Sequence, residues 1–286
     1  MQIIVADVLG MCFGVRDALA VIDDIDRPND VTIHGELVHN EKVLDRLHER
    51  GFHMVEEQRR TSLPVTETVL ITAHGVSKKE RRRLEQAGKR LIDTTCPLVT
   101  RAHDAAQQLQ RDGYHVLVIG KPGHVEIQGV IEDLDSFDIV QTPADVKTYP
   151  HGKLGIMCQT TTPQSDAHRI RRAVEAKNPH ADVHFVDTIC HPTKDHQKAL
   201  ERLLDQVQAV VVVGGRNSNN TKQLVRRCAE RGVPAFHVQD ADDLRPEWFE
   251  GVEVVGLTAG TSTLEETIRR VKIRLGKLTP ATVAAD

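Results

Sequence analysis

Asp93-Thr94-Thr95-Cys96, DTTC, runs into PLVTRAHDAAQQL (97–109), and the same opening returns at 187–190 as DTIC. A related slot, DVLGMC (7–12), closes on Cys12. These cysteines mark out stretches of similar length, and self-similarity on that scale signals one structural unit used three times. A helical pattern follows each of them. After Cys12, Val15, Ala18, Leu19 and Ile22 recur at helical spacing. After Cys96, Pro97 suits a first helical turn, and Leu98, Ala102, Ala105 and Leu109 share a face. After Cys190, Ala199, Leu200, Leu203, Leu204 and Val207 do the same.

Between the cysteines, each unit shows a strand, a polar loop and a helix, twice over. The stretches are VTIHGELVHNEKVLDRL (31–47), TVLITAHGVSKKERRRL (68–84), HVLVIGKPGHVEIQGV (115–130), GKLGIMCQTTTPQSDAHRI (152–170), AVVVVGGRNSNNTKQLV (209–225) and VEVVGLTAGTSTLEETI (252–268). Their strands are near-continuous Val, Ile and Leu runs, as in a parallel sheet buried on both faces. The expected class is α/β, as three similar lobes with mostly parallel sheets. The lobes are expected at 13–96, 97–190 and 191–280, with an N-terminal strand in 1–12 joining them. Ligands bind beyond the carboxyl ends of such strands. If the lobes turn those ends to a common pseudo-threefold centre, they enclose one polar cavity with one cysteine from each.

Composition narrows the functional classes. Apolar residues make up 40% of the 286, and aromatics only 3%, so the cores must be aliphatic. A formal net charge of −4 argues against a general nucleic-acid binder. No run of eighteen apolar residues marks a membrane span. The start, MQIIVADVLG, lacks a basic leader region and enters a strand at once, so a cytoplasmic protein is expected. There a disulfide framework is not expected of Cys12, Cys96, Cys158, Cys190 and Cys228, and no CxxC pair is present.

Cys158, at a strand end, and Cys228, on a helix face, read as small buried hydrophobes. Cys12, Cys96 and Cys190 hold one repeat position at a helix start, where the dipole favours a thiolate. Three convergent thiolates make a metal site, and both zinc with a fourth ligand and iron–sulfur suit them. A cubane on three cysteines leaves one iron without a protein thiolate, open to act as a Lewis acid. His39, His74 and His124 each follow a strand. Singly each reads as a hydrogen-bonded structural residue; together they suit an anion, helped by backbone N–H groups at helix starts. GGRNSNNT and TAGTST look like phosphate cradles without a Walker lysine, although Ser218, Asn219, Asn220 and Ser262 are also good helix caps. Glu126, two residues past His124, suits a general acid or a helix-start carboxylate. Lys78–Arg83, KKERRR, is a solvated helix face or a dock for an acidic electron donor.

The motifs MCFGV, VHN, AHGVS, DTTCP, GH.E, QTT, DTIC, SN and TAG.S stand in the order of one family. The chain resembles the 4-hydroxy-3-methylbut-2-enyl diphosphate reductases, also called LytB or IspH, over nearly its whole length. The resemblance implies a three-lobed α/β fold around one [4Fe–4S] cluster, with Cys12, Cys96 and Cys190 as ligands and one open iron. It implies that His39, His74 and His124 contact the diphosphate and that Thr160 lies near the substrate hydroxyl. Glu126 would supply protons, and Ser218, Asn219, Asn220 and Ser262 would fall on the remaining substrate loops. The implied reaction is two-electron removal of an allylic hydroxyl, giving isopentenyl and dimethylallyl diphosphates. Ferredoxin or flavodoxin would donate the electrons, and a monomer suffices for a site buried within one chain.

Several positions depart from the family pattern. Asn219 replaces a second serine, Val125 a proline and His196 an arginine; Gln128 stands where an acidic residue is common, and Thr261 and Leu264 alter the usual segment around Ser262. A competing reading is a three-lobed metal-containing protein that binds or senses an anion, and another is a three-cysteine zinc hydrolase. Glu126 beside His124 speaks against pure anion binding, because an extra carboxylate there gains such a protein nothing.

Overall fold

The computed structural model describes residues 1–57, 60 and 62–278. β1 (Gln2–Val5) and α1 (Phe13–Asp23) flank Cys12. Then come β2 (Val31–His34), α2 (Glu41–Glu49), β3 (His53–Val55), β4 (Thr68–Ile71), α3 (Lys78–Gln86) and β5 (Arg90–Asp93). Next are α4 (Pro97–Arg111), β6 (His115–Ile119), α5 (Val125–Ile131), β7 (Phe137–Val140), β8 (Lys153–Cys158), α6 (Gln164–Lys177) and β9 (Asp182–Phe185). The chain continues through α7 (His191–Leu204), β10 (Ala209–Val213), α8 (Asn219–Glu230), β11 (Ala235–Val238), β12 (Val254–Ala259) and α9 (Glu265–Lys277).

The strands form three four-stranded sheets, ordered β3-β2-β4-β5, β7-β6-β8-β9 and β11-β10-β12-β1. Every pair is parallel. The three α/β lobes read from the sequence are therefore present, with one strand order used three times. β1 takes in its sheet the place that β5 and β9 take in theirs. Central strands β2, β4, β6 and β10 are buried at every residue, which is why, apart from His34 and His115, their residues are all apolar or β-branched. Each fully buried Val or Leu there contributes roughly 1.5–3 kcal/mol. In the β6–β8 sheet one face packs Leu117, Ile119 and Ile156 with α6, and the other packs Val116, Val118 and Met157 with α4 and α5.

The α4 face differs from the expected one. Val99, Ala102, His103, Ala106 and Leu109 are buried, while Leu98 and Ala105 lie at the edge of the stripe. The helix is turned by about one residue, which puts the His103 ring inside and uses Val99 in place of Leu98.

The chain forms two compact units. Unit 1 comprises Met1–Cys12, His39–Lys42 and the chain from Pro192 onward; unit 2 comprises Phe13–Val38 and Val43–His191. Among the described residues no helix is long and apolar enough to cross a membrane.

Candidate active site

Each repeat cysteine sits between an edge strand and a helix start: β1 and α1 at Cys12, β5 and α4 at Cys96, β9 and α7 at Cys190. Its backbone N–H donates to the second residue past the adjoining central strand: Cys96 to Ala73 O at 3.1 Å, Cys190 to Thr160 O at 3.0 Å, and Cys12 to Thr261 O at 3.0 Å. Two residues earlier, each chain is tied to the last residue of that same strand. Thr94 N–H donates to Ile71 O at 3.0 Å and Gly10 N–H to Ala259 O at 3.4 Å. In the middle repeat the Thr188 hydroxyl accepts from Cys158 N–H at 2.8 Å and donates to Cys158 O at 2.5 Å. One backbone device thus fixes all three cysteines, each within its own unit.

The thiols fall into two kinds. Cys158 and Cys228 are wholly buried, as expected of small hydrophobes, whereas Cys12, Cys96 and Cys190 are partly exposed. Burial pushes the Cys96 thiol up from its ordinary value, against hydrogen bonds from the Leu98 and Val99 N–H groups that favour its thiolate. Coordination to a metal would override that burial effect by removing the proton outright. Gly14 leaves room for this sulfur, because a Cβ there would stand 2.5 Å from Cys96 Sγ. Beside it the Phe13 ring stacks on His191 at 5.4 Å between centroids. Among the described residues no three His, Cys, Asp or Glu side chains stand close enough to hold one metal ion.

Unit 2 gathers a set of polar groups, one of which, Thr160, holds Cys190. His124 caps α5, its Nδ1 accepting from Glu126 N–H at 3.2 Å. That bond leaves the ring proton on Nε2, where it can be offered to an anionic oxygen. The His74 ring meets the His124 ring edge to face, with centroids 5.9 Å apart. Glu126, 2% exposed, takes both hydrogens of Thr160: the N–H at 2.7 Å and the hydroxyl at 2.8 Å. Thr160 O in turn holds Cys190 N–H. Gln159 Oε1 accepts from Lys121 N–H at 3.0 Å, and its buried Nε2 meets no hydrogen-bond acceptor among the described residues.

Unit 1 assembles a second polar set from three loops. Ser218 caps α8, accepting from Thr221 N–H at 3.3 Å, so its capping expectation holds. Asn219 and Asn220 form the first turn, and Asn220 Oδ1 accepts from Thr261 N–H at 3.0 Å. Ser262 is buried, and the Asn40 amide beside His39 donates to its carbonyl.

Residues 3–276 match the family model described as LytB protein. This chain belongs to the LytB family. It is 36% identical to the 4-hydroxy-3-methylbut-2-enyl diphosphate reductase of Pseudomonas aeruginosa (strain LESB58), over 96% of this chain and 90% of that protein. To the reductase of the same name from Psychromonas ingrahamii it is 34% identical, over 97% and 91%. The solved structure of the E-1-hydroxy-2-methyl-but-2-enyl-4-diphosphate reductase from Plasmodium falciparum matches with a TM-score of 0.87 at 27% identity, over 98% of this chain and 89% of that one. A second solved structure, described as (E)-4-hydroxy-3-methyl-but-2-enyl diphosphate reductase, the terminal enzyme of the non-mevalonate pathway, matches with a TM-score of 0.67 at 30% identity, over 96% and 99%.

In this LytB chain two of the departures from the family pattern, Val125 and His196, have local explanations. Val125 opens α5 and is buried, so an apolar side chain serves there without the ring of a proline. His196 is buried, with Nδ1 2.8 Å from Pro192 O and Nε2 3.0 Å from Gly10 O, and so ties α7 to the turn before Cys12. Leu264 stands at the cap of α9 without a capping hydrogen bond. Asn40 and Gln159 were not singled out as site residues in the sequence. Only their place inside VHN and QTT marked them.

Proposed function

We propose that this LytB-family chain is a 4-hydroxy-3-methylbut-2-enyl diphosphate reductase with one [4Fe–4S] cluster on Cys12, Cys96 and Cys190 and one iron open to substrate oxygen. The donor set fits such a group: three partly exposed thiols at equivalent helix starts, set apart from two wholly buried ones. Bound there, a cluster supplies electrons singly and a Lewis-acidic iron. The lobe bounds 13–96, 97–190 and 191–280, of which 279 and 280 lie outside the described residues, the ferredoxin or flavodoxin donor, the cytoplasmic setting and the monomeric state belong to the same proposal.

The reaction breaks the allylic C–O bond, takes up two electrons, and uses two protons. One proton leaves with the oxygen as water, and the other ends on an allylic carbon, whose position selects isopentenyl or dimethylallyl diphosphate. His39, His74, His124, Ser218, Asn219, Asn220 and Ser262 hold the diphosphate with N–H and O–H donors and helix-start N–H groups. Thr160 meets the substrate hydroxyl, and Glu126 behind it delivers the proton through the Thr160 hydroxyl. The observation that carries this reading is the buried Glu126–Thr160 pair, whose Thr160 carbonyl also holds Cys190. A merely anion-binding site has no use for a buried carboxylate in that place.

The test is a single turnover. Protein purified without oxygen and chemically reduced should convert 4-hydroxy-3-methylbut-2-enyl diphosphate to the two products. No product from protein with full iron and sulfide would overturn the assigned reaction.

A further inference from the structure

We infer that Asn40 is a positioning residue, which locks the segment carrying His39 to the turn carrying Ser262 and so sets the spacing of the diphosphate cradle in unit 1. The inference rests on the reading above, in which those two residues hold the diphosphate.

The β2–α2 connection is short, and its last two residues, with the first two of α2, His39–Lys42, fold with unit 1. A single side chain makes most of that attachment specific. Asn40 is 7% exposed, so both ends of its amide need partners. Its Nδ2 donates to Ser262 O at 2.8 Å, across 222 residues of sequence, and its Oδ1 accepts from Lys42 N–H at 3.1 Å. The second bond is the one a capping Asn makes at a helix start. A flipped amide would set oxygen against oxygen and N–H against N–H, so only one orientation satisfies both partners. The Ser262 hydroxyl completes the contact at 3.5 Å from His39 O.

The segment is also backed from below. A Cβ on Gly215 would lie 2.4 Å from His39 O and 3.1 Å from Asn40 Cα, so the bare backbone of the Gly214–Ser218 loop is what lets His39 sit where it does. Further along, Lys42 pairs with Asp240, which Arg270 also meets at 3.1 Å. The loops bearing His39, Ser218 and Ser262 are therefore in mutual contact, and Asn40 supplies the buried side-chain bond between the first and the last.

The experiment measures inorganic pyrophosphate binding by calorimetry, and substrate KM and kcat, on anaerobically prepared holoenzyme. Asn40→Asp keeps the acceptor for Lys42 N–H but loses the donor and faces a carboxylate to the Ser262 carbonyl. About a tenfold loss of pyrophosphate affinity and a matching rise in KM are expected, with kcat changed much less and iron content intact. Ser262→Ala should cost less in the Asn40→Asp background than in the wild type, because Asn40 acts by placing the turn that carries the Ser262 hydroxyl. Gly215→Ala, which displaces the same segment while leaving the Asn40 side chain unchanged, should reproduce the affinity loss if Asn40→Asp folds poorly. Wild-type affinity in both Asn40→Asp and Gly215→Ala, or fully additive losses with Ser262→Ala, would overturn the positioning role and leave the reductase reading standing. Wild-type protein that binds no pyrophosphate and turns over no substrate would overturn both.

Discussion

Thr160 gives Glu126 both of its hydrogens, the backbone N–H to one carboxylate oxygen at 2.7 Å and the hydroxyl to the other at 2.8 Å. A buried carboxylate with a donor on each oxygen is held in one rotamer, and the Thr160 hydroxyl gives it a polar route outward. Glu126→Gln preserves the shape and both contacts, since the amide oxygen can accept the N–H and the amide nitrogen can donate to the hydroxyl. Fold and iron content should therefore stay at wild-type levels. Turnover should fall by about 10²- to 10⁴-fold, the usual worth of a positioned acid. Unchanged turnover in rapid-mix assays would remove Glu126 as the proton carrier.

The two kinds of cysteine make opposite predictions for iron. Cys96→Ser replaces a thiolate ligand with a hydroxyl and should lose most of the iron. Cys228 is different: burial pushes its thiol up to about 12, and it packs with Leu200, Val212 and Leu224. Cys228→Ser should keep full iron and lose about 1–3 kcal/mol of stability, from the hydroxyl placed in an apolar site. Iron and sulfide analysis with a thermal melt reads both variants. Full iron in Cys96→Ser would mean that the ligands were misassigned.

Gly14→Ala tests the same centre from the neighbouring helix. The new methyl would stand 2.5 Å from Cys96 Sγ, and a cysteine side chain is too short to yield without moving its sulfur. Iron should be lost to a chelator several-fold faster than from wild type, although no ligand has been changed. Equal release rates would mean that the Cys96 sulfur has room to spare.

How far the sequence could be read follows from where the physics is local. The central strands and the helices after the cysteines are written as continuous or periodic apolar residues, so they were legible. Edge strands such as His53–Val55 and Asp182–Phe185 were not, because each is short and only partly buried and so carries no clean period. The position of each repeat cysteine was visible in DTTC and DTIC, but the Ala73, Thr160 and Thr261 carbonyls that fix their N–H groups were not, since backbone acceptors leave no trace in side-chain identity. The bond from Asn40 to Ser262 spans 222 residues of sequence, and no pattern within either loop encodes it.

The end of β2 and the helix after the loop that carries His74 are braced by an ion pair that predicts an acid-sensitive fold. His34, at the end of β2 and fully buried, sets Nε2 2.8 Å from Glu80 Oε1, and Arg83 binds the same carboxylate at 2.6 Å. Glu80 belongs to the first turn of α3, directly after the AHGVS loop, and its N–H is capped by Ser77. Burial alone would push the Glu80 carboxyl up, but the hydrogen bonds and charges of Arg83 and His34 together hold it down, from 4.5 to about 2. The folded value lies below the unfolded one, so the pair stabilises the fold above about pH 4.5 and loses that contribution as pH falls toward about 2. With the pair partly open to water, it should contribute about 1–3 kcal/mol at pH 7. Glu80→Gln keeps the shape and cannot titrate. Its deficit against wild type in urea unfolding should be full at pH 7, smaller at each step below pH 4.5, and nearly gone close to pH 2. A deficit that does not change with pH would mean that Glu80 acts through packing and not through its charge.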